Sequence, residues 1–420
     1  MRDRTEQALL RRLNGRQPPA FILGTSSPHA LGFVRTFGRR GIPVVVVSAD
    51  AGRVWSRYTL MQRMIKGEEE LVAFLESVGS RMSDKGVMFP TGDADVLFMS
   101  KYRDRLAAHF DFVLPDAPVL DLLANKKTQY ECASRIGIPT PRTYTPAGQA
   151  DLQHVAATIG YPCVIKPAYP HIWRRYQRQT GTMRQWAKAA HVETPQQLQT
   201  VYEQMAKGGS ELLVQERIEG PDSRLYLCYM YFDRHSEPLA TCVIRKQRQW
   251  PPRYGTGSYL VSCHQPVVVE QSLKLLKHIG YRGLADLEFK HDHKDGRLKL
   301  IEVNVRCGDP VALALAAGVD IPFIAYKDAR GISTAHANAY DIDVTWVNAV
   351  DDFRAFWHYR KVEPLSGWRW LRSVLGARSH AYFAWDDPVP PLVHLGHRAI
   401  KAATYLPRRL KSGLRGSDPA

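Results

Sequence analysis

The sequence predicts a mixed chain: a doubly wound α/β unit, then an α+β unit built on antiparallel hairpins, then a basic C-terminal extension. Three observations carry this. Residues 20–47, AFILGTSSPHALGFVRTFGRRGIPVVVV, read strand, turn, helix, strand, the opening of a parallel sheet. Two long hairpin patterns come later, LYLCYMYFDRHSEPLATCVIRKQRQ and GLADLEFKHDHKDGRLKLIEVNVR, the second turned at Asp295-Gly296. From Phe353 onward 12 Lys and Arg stand against 4 Asp and Glu, so the last sixth of the chain holds about half of the net +16.

In the first unit, 1–118, the pattern GVMFPTGDADVLFMSKYRDRL repeats the opening, with a strand at Val87–Pro90 and Asp93 and Asp95 at its carboxyl end. Ligands bind at such strand ends. The GTSSPHALG turn is not GxGxxG, which weakens a dinucleotide reading. In the second unit, 119–335, NKKTQYECASRIGIPTPRTY predicts a helix stopped by Gly137 and Pro139. YPCVIKPA is a short buried strand ending in a lysine, and ELLVQERIEGPD is a strand running into a Gly-Pro turn. The extension, 336–420, carries Trp346, Trp357, Trp368, Trp370 and Trp385 and ends in a basic helical pattern.

Composition narrows the class. With 45% apolar and 23% charged residues in 420, the chain is globular rather than disordered or fibrous. Its apolar runs are too short to span a bilayer, and the first nineteen residues have no apolar segment of a secretory signal. Six widely spaced cysteines, without CxxC, read as reduced thiols. The expected location is the cytoplasm. The +16 charge implies anionic partners: nucleotides, nucleic acid, phospholipid or acidic sugars. There is no GxxxxGK[ST], HExxH or GxSxG.

The second hairpin carries the chemistry. Alternate strand residues share a face, so Glu302, Asn304 and Arg306 point one way while Ile301, Val303 and Val305 point to the core. Asp286 and Glu288 alternate likewise on the partner strand, which brings one of them near Glu302. Two carboxylates and an amide oxygen make a hard oxygen site suited to Mg²⁺, although any half-exposed sheet shows a polar face. Lys126, at the start of a helix, and Lys166, ending a buried strand, add the cationic side that phosphates require.

This ordered series resembles the ATP-grasp superfamily, in its carboxylate–amine ligase branch, and is similar to biotin carboxylase and carbamoyl-phosphate synthetase. The resemblance covers about residues 20–330: an α/β domain, Lys126 before GIPTP, Lys166 in YPCVIKP, VQERIEG, ADLEFK and IEVNVR. It implies a pre-ATP-grasp domain followed by an ATP-grasp fold that clasps ATP between two antiparallel sheets. It implies Lys126 and Lys166 on phosphates, and Gln215, Glu216 and Ile218 around the adenine, the last two through their backbone. It further implies Mg²⁺, with Mn²⁺ as a substitute, on Glu288, Glu302 and Asn304. Arg306 would face the reacting carboxylate or phosphate, with Lys166 as its catalytic companion. The family's motif spacing favours Glu288 over Asp286.

Some segments depart from the family or stay open. Residues 169–188, YPHIWRRYQRQTGTMRQWAK, replace a glycine-rich phosphate loop and hold Arg174, Arg175, Arg178, Arg184 and Lys188. They read either as a mobile lid or as a solvated basic loop. Arg245, Arg248 and Arg253 either reach substrate or lie on a surface loop. His291 and His293 flank a hairpin turn, which accounts for their polarity. The extension either caps the core with its tryptophans or attaches Leu392–Leu414 to anionic membrane. Nucleic acid is not an expected partner, because no compact module interleaves aromatics with cations. The expected reaction joins a small-molecule carboxylate and amine through an acyl phosphate, releasing ADP and phosphate. The alternatives are an ATP-grasp phosphotransferase, or a membrane- or nucleic-acid-binding protein with a vestigial nucleotide fold.

Overall fold

Parallel pairing organises the N-terminal unit of the computed structural model, which describes residues 10–25, 27–49, 52–181, 188–362, 365–394 and 396. Strands β1 (Ala20–Leu23), β2 (Val44–Ser48), β3 (Thr59–Met64), β4 (Gly86–Pro90) and β5 (Phe110–Asp111) align in the order β3-β2-β1-β4-β5. Every pairing in this sheet is parallel. The order reverses at β1, and helices α1 (Ser27–Gly38), α2 (Glu68–Gly79) and α3 (Asp93–Lys101) cover the sheet. All β1, β2 and β4 side chains are buried, which is why these strands read as unbroken apolar runs. Asp93 and Asp95 lie in the first turn of α3, just past β4, where the helix dipole favours an acid.

Two antiparallel sheets follow. The smaller has β6 (Thr143–Tyr144), β7 (Cys163–Pro167), β8 (Ala190–Val192) and β9 (Leu212–Glu216) in the order β6-β9-β7-β8. The larger runs β14-β13-β10-β11-β12-β15-β16, built from β10 (Leu225–Phe232), β11 (Pro238–Trp250), β12 (Thr256–Ser262), β13 (Gly283–His291), β14 (Leu298–Asn304), β15 (Thr345–Val347) and β16 (Ser379–His380). Both sequence-predicted hairpins are present, as β10–β11 and β13–β14. Around these sheets stand α4 (Lys126–Arg135), α5 (Pro170–Thr180), α6 (Pro195–Ala206), α7 (Pro266–His278), α8 (Ala349–Val362) and α9 (Gly367–Leu375).

The large sheet is buried on both faces. Tyr226, Cys228, Met230, Leu287 and Phe289 pack with Cys132 and Ala133 of α4 and Leu275 and Leu276 of α7. Leu227, Tyr229, Tyr231 and Ile244, on the other face, share one core with Phe33 and Phe37 of α1 and Ile22 of β1. The two units are therefore joined through the sheet face that also carries Asp286 and Glu288.

Two expectations change here. Residues 170–180 are helix α5, not a loop, because Trp173 and Gln177 give it a buried stripe one turn apart. Arg184 lies outside the described residues, as does 397–420, which holds most of the tail assigned to membrane contact. The extension also splits: Trp346 is buried in β15, whereas Trp357, Trp368 and Trp385 are exposed.

Candidate active site

A cavity of about 430 Å³ opens between the small and large sheets, lined by Lys126, Lys166, Gln215, Glu216, Ile218, Glu288 and Glu302 among others. Strand alternation explains who faces it. On β7, Cys163 and Ile165 join the small-sheet core, so Val164 and Lys166 face the cavity. On β9, Leu212 and Val214 take the core side and Gln215 the other. Glu216 then points away, to Arg142 Nε at 2.8 Å and Lys299 Nζ at 2.9 Å. Only its backbone remains for a ligand, and its N–H already donates to Arg142 O at 2.9 Å. The carbonyl of Ile218 accepts from Lys290 Nζ at 3.1 Å.

On the facing sheet the register sets Glu288 directly opposite Glu302, and Asp286 opposite Asn304. The pairing shifts between Glu288 and Phe289, where Leu300 becomes the partner. This irregularity turns Ile301 into the cavity wall instead of the core, correcting the simple alternation, while Val303 stays buried. Each carboxylate has a lysine. Lys126 Nζ lies 2.6 Å from Glu302, and Lys246 Nζ 3.2 Å from Glu288. Lys126 opens α4, where a cation opposes the helix dipole, so Glu302 offsets both that and the burial of the ammonium.

Burial alone would raise Glu302, but Lys126, Lys188 and Arg174 hold it well below the usual carboxylate range. Burial brings the Lys166 ammonium down to about 8, against the pull of Glu302 and Glu288. Lys166 Nζ donates to the Tyr130 hydroxyl at 2.6 Å. Asp286 is the contrast: burial and the neighbouring Glu288 push it well above the carboxylate range, and its Oδ1 has no partner. Glu288, Glu302 and the Asn304 amide thus present hard oxygens on adjacent strands, a donor set that fits Mg²⁺ shared with phosphates.

Asn304 sits in a smaller adjoining pocket with Lys126, Glu302, Asp93 and His171. Arg306 lies just beyond, its Nε 2.8 Å from Asp93 Oδ1. Arg174 of α5 reaches the other Asp93 oxygen at 3.1 Å. Asp93 therefore ties the α/β unit to both arginines. The segment between the hairpins divides differently from the sequence reading. Arg248 is a β11 residue spent on Asp352 of α8, with contacts of 2.9 and 2.8 Å. Arg245 lies on the opposite face of β11 from Lys246, and Arg253 lines the cavity. Sequence reasoning missed Lys246, Lys290 and Tyr130. For Lys246 a signal existed: it alternates in phase with Ile244, a buried residue of the same strand.

The fold and this constellation are similar to those of ATP-grasp proteins. A family model described as "ATP-grasp in the biosynthetic pathway with Ter operon" matches residues 210–350. D-aspartate ligase of Enterococcus faecium is 24% identical over 303 residues, covering 68% of this chain and 71% of that protein. D-alanine–D-alanine ligase B of Pseudomonas putida is 27% identical over 221 residues, covering 50% of this chain and 63% of its relative, just under two thirds. Among solved structures, the biotin carboxylase domain of Hydrogenobacter thermophilus 2-oxoglutarate carboxylase, in complex with MgADP, superposes with a TM-score of 0.60 at 17% identity, over 78% of this chain and 73% of that one. The family match over residues 210–350, the ligase relatives and the shared fold together support an ATP-grasp carboxylate–amine ligase.

Proposed function

We propose that the protein is an ATP- and Mg²⁺-dependent ligase that joins a small-molecule carboxylate to an amine through an acyl phosphate. The observation that carries this reading is the convergence of Lys126, Lys166, Glu288 and Glu302 on one cavity, with Arg306 and Arg174 at its end. Lys126 and Lys166 would bind the phosphates, and Gln215 with the backbone of Glu216 and Ile218 would border the adenine. Glu288, Glu302 and Asn304 would hold Mg²⁺, which when bound neutralises phosphate charge. The substrate carboxylate oxygen attacks the γ-phosphorus and the bond to the β-phosphate oxygen breaks, leaving ADP. Arg306 and Arg174 exchange Asp93 for the charged oxygens of the reacting group. The amine then attacks the acyl carbon, phosphate departs, and the amine proton passes to solvent. Positioning and charge supply the rate, so little covalent chemistry is asked of the protein.

D-aspartate and D-alanine, named by the relatives, carry both a carboxylate and an amine and are the first substrates to try. With a matching carboxylate, ADP, phosphate and amide should form one to one, and hydroxylamine should trap a hydroxamate. AMP release would contradict the mechanism. A stable phosphorylated product with no amide under any amine would instead make the protein a phosphotransferase.

A further inference from the structure

Helix α9 has no buried residue. Its sequence, GWRWLRSVL, puts the half-buried Trp370, Ser373 and Val374 on one side, from which Trp370 Nε1 donates to Asp352 of α8 at 2.9 Å. Trp368, Leu371 and Leu375 then fall on the outer side at helical spacing. Trp368 is 72% exposed and Leu375 74%. The apolar surface continues onto α8, because Phe353 packs on Trp370 with ring centroids 5.5 Å apart and also touches Trp357. Phe353 and Trp357 are themselves 47% and 50% exposed. A monomer rarely leaves so many large apolar side chains together in water.

Charge identifies what fits this face. Arg360, Lys361, Arg369 and Arg372 are exposed around it, and Arg360 stacks over the Trp357 ring at 5.1 Å. A second copy of the chain would bring these cations against one another. An anionic bilayer meets both needs: tryptophan and leucine enter the acyl boundary while the arginines stay at the headgroups. No helix among the described residues is long and apolar enough to cross a membrane, so the contact lies on the surface. We propose that the outer face of α8 and α9 docks on anionic phospholipid. The surface is tied to the site strand, since β11 offers Lys246 to the cavity and Arg248 to Asp352 of α8. The proposal does not depend on which reaction the cavity performs.

The test is sedimentation of the full chain with vesicles of phosphatidylcholine alone, or mixed with phosphatidylglycerol. Binding should require phosphatidylglycerol and vanish at about 1 M salt, where the screening length is about 3 Å. Trp368→Ser with Leu375→Ser should lower partitioning by about tenfold or more, with unchanged thermal melting. Arg369→Gln and Arg372→Gln should each cost about fivefold, and lysine at either position should restore binding. Absence of vesicle binding overturns the proposal. So does binding that survives Trp368→Ser with Leu375→Ser and disappears only on removal of 397–420. A dimer in light scattering that these substitutions dissolve, with no lipid binding, would assign the face to a second copy instead.

Discussion

Lys166 makes the proposed phosphate site sensitive to alkaline pH. Its ammonium is brought to about 8 by burial. About nine tenths is then charged at pH 7 and about one tenth at pH 9. If the charged form binds ATP, kcat/KM for ATP should fall about tenfold between these pH values, since that ratio reports the free enzyme. The sign is set by the group: losing the proton removes the attraction, so the loss comes on the alkaline side. Glu288 and Glu302 raise Lys166, so a divalent cation on them withdraws that support and moves the limb to lower pH. Lys166→Arg keeps its charge at pH 9 and should flatten the limb, whatever its level of activity. The assay is ADP release at limiting ATP from pH 6.5 to 9.5, with thermal melting at each pH as a control. A flat wild-type profile, or an unchanged limb in Lys166→Arg, would refute the assignment.

Three further outcomes are expected. Glu302→Gln keeps the ligand's shape but not its charge, so turnover should fall about 10²–10³-fold in a folded protein. Undiminished turnover would remove Glu302 from the site. The depressed wild-type Glu302 contributes stability above the ordinary carboxylate range that is lost as pH falls toward its folded-state value, and acid denaturation curves should show that part missing in the variant. Asp93→Asn removes the charge between Arg306 and Arg174, so the KM for the carboxylate substrate should change while that for ATP stays within about twofold; equal changes in both would show a merely structural role. Asp352→Asn should cost about 3–5 kcal/mol in chemical denaturation, because it strands the buried Arg248, and a loss below about 1 kcal/mol would show that the pair is not what holds α8 to β11.

The sequence by itself determined the opening parallel unit and the two hairpins. Apolar runs marked β1, β2 and β4 because strands covered on both faces have no polar alternation to hide. The Asp295-Gly296 turn set the β13–β14 hairpin, which puts Glu288 and Glu302 side by side. The tertiary structure decided what period and local order cannot encode. A register shift sent Ile301 to the cavity, and a helix 104 residues away took Arg248 from it. Asp93 meets Arg306 only because one sheet face packs on the α/β unit, across 213 residues of chain. The sequence puts Lys166 at the end of a buried strand and Lys246 in phase with Ile244, but not beside the carboxylates they meet. The proposed roles of both lysines rest on burial beside two carboxylates, a property of the assembled cavity and not of any strand within it.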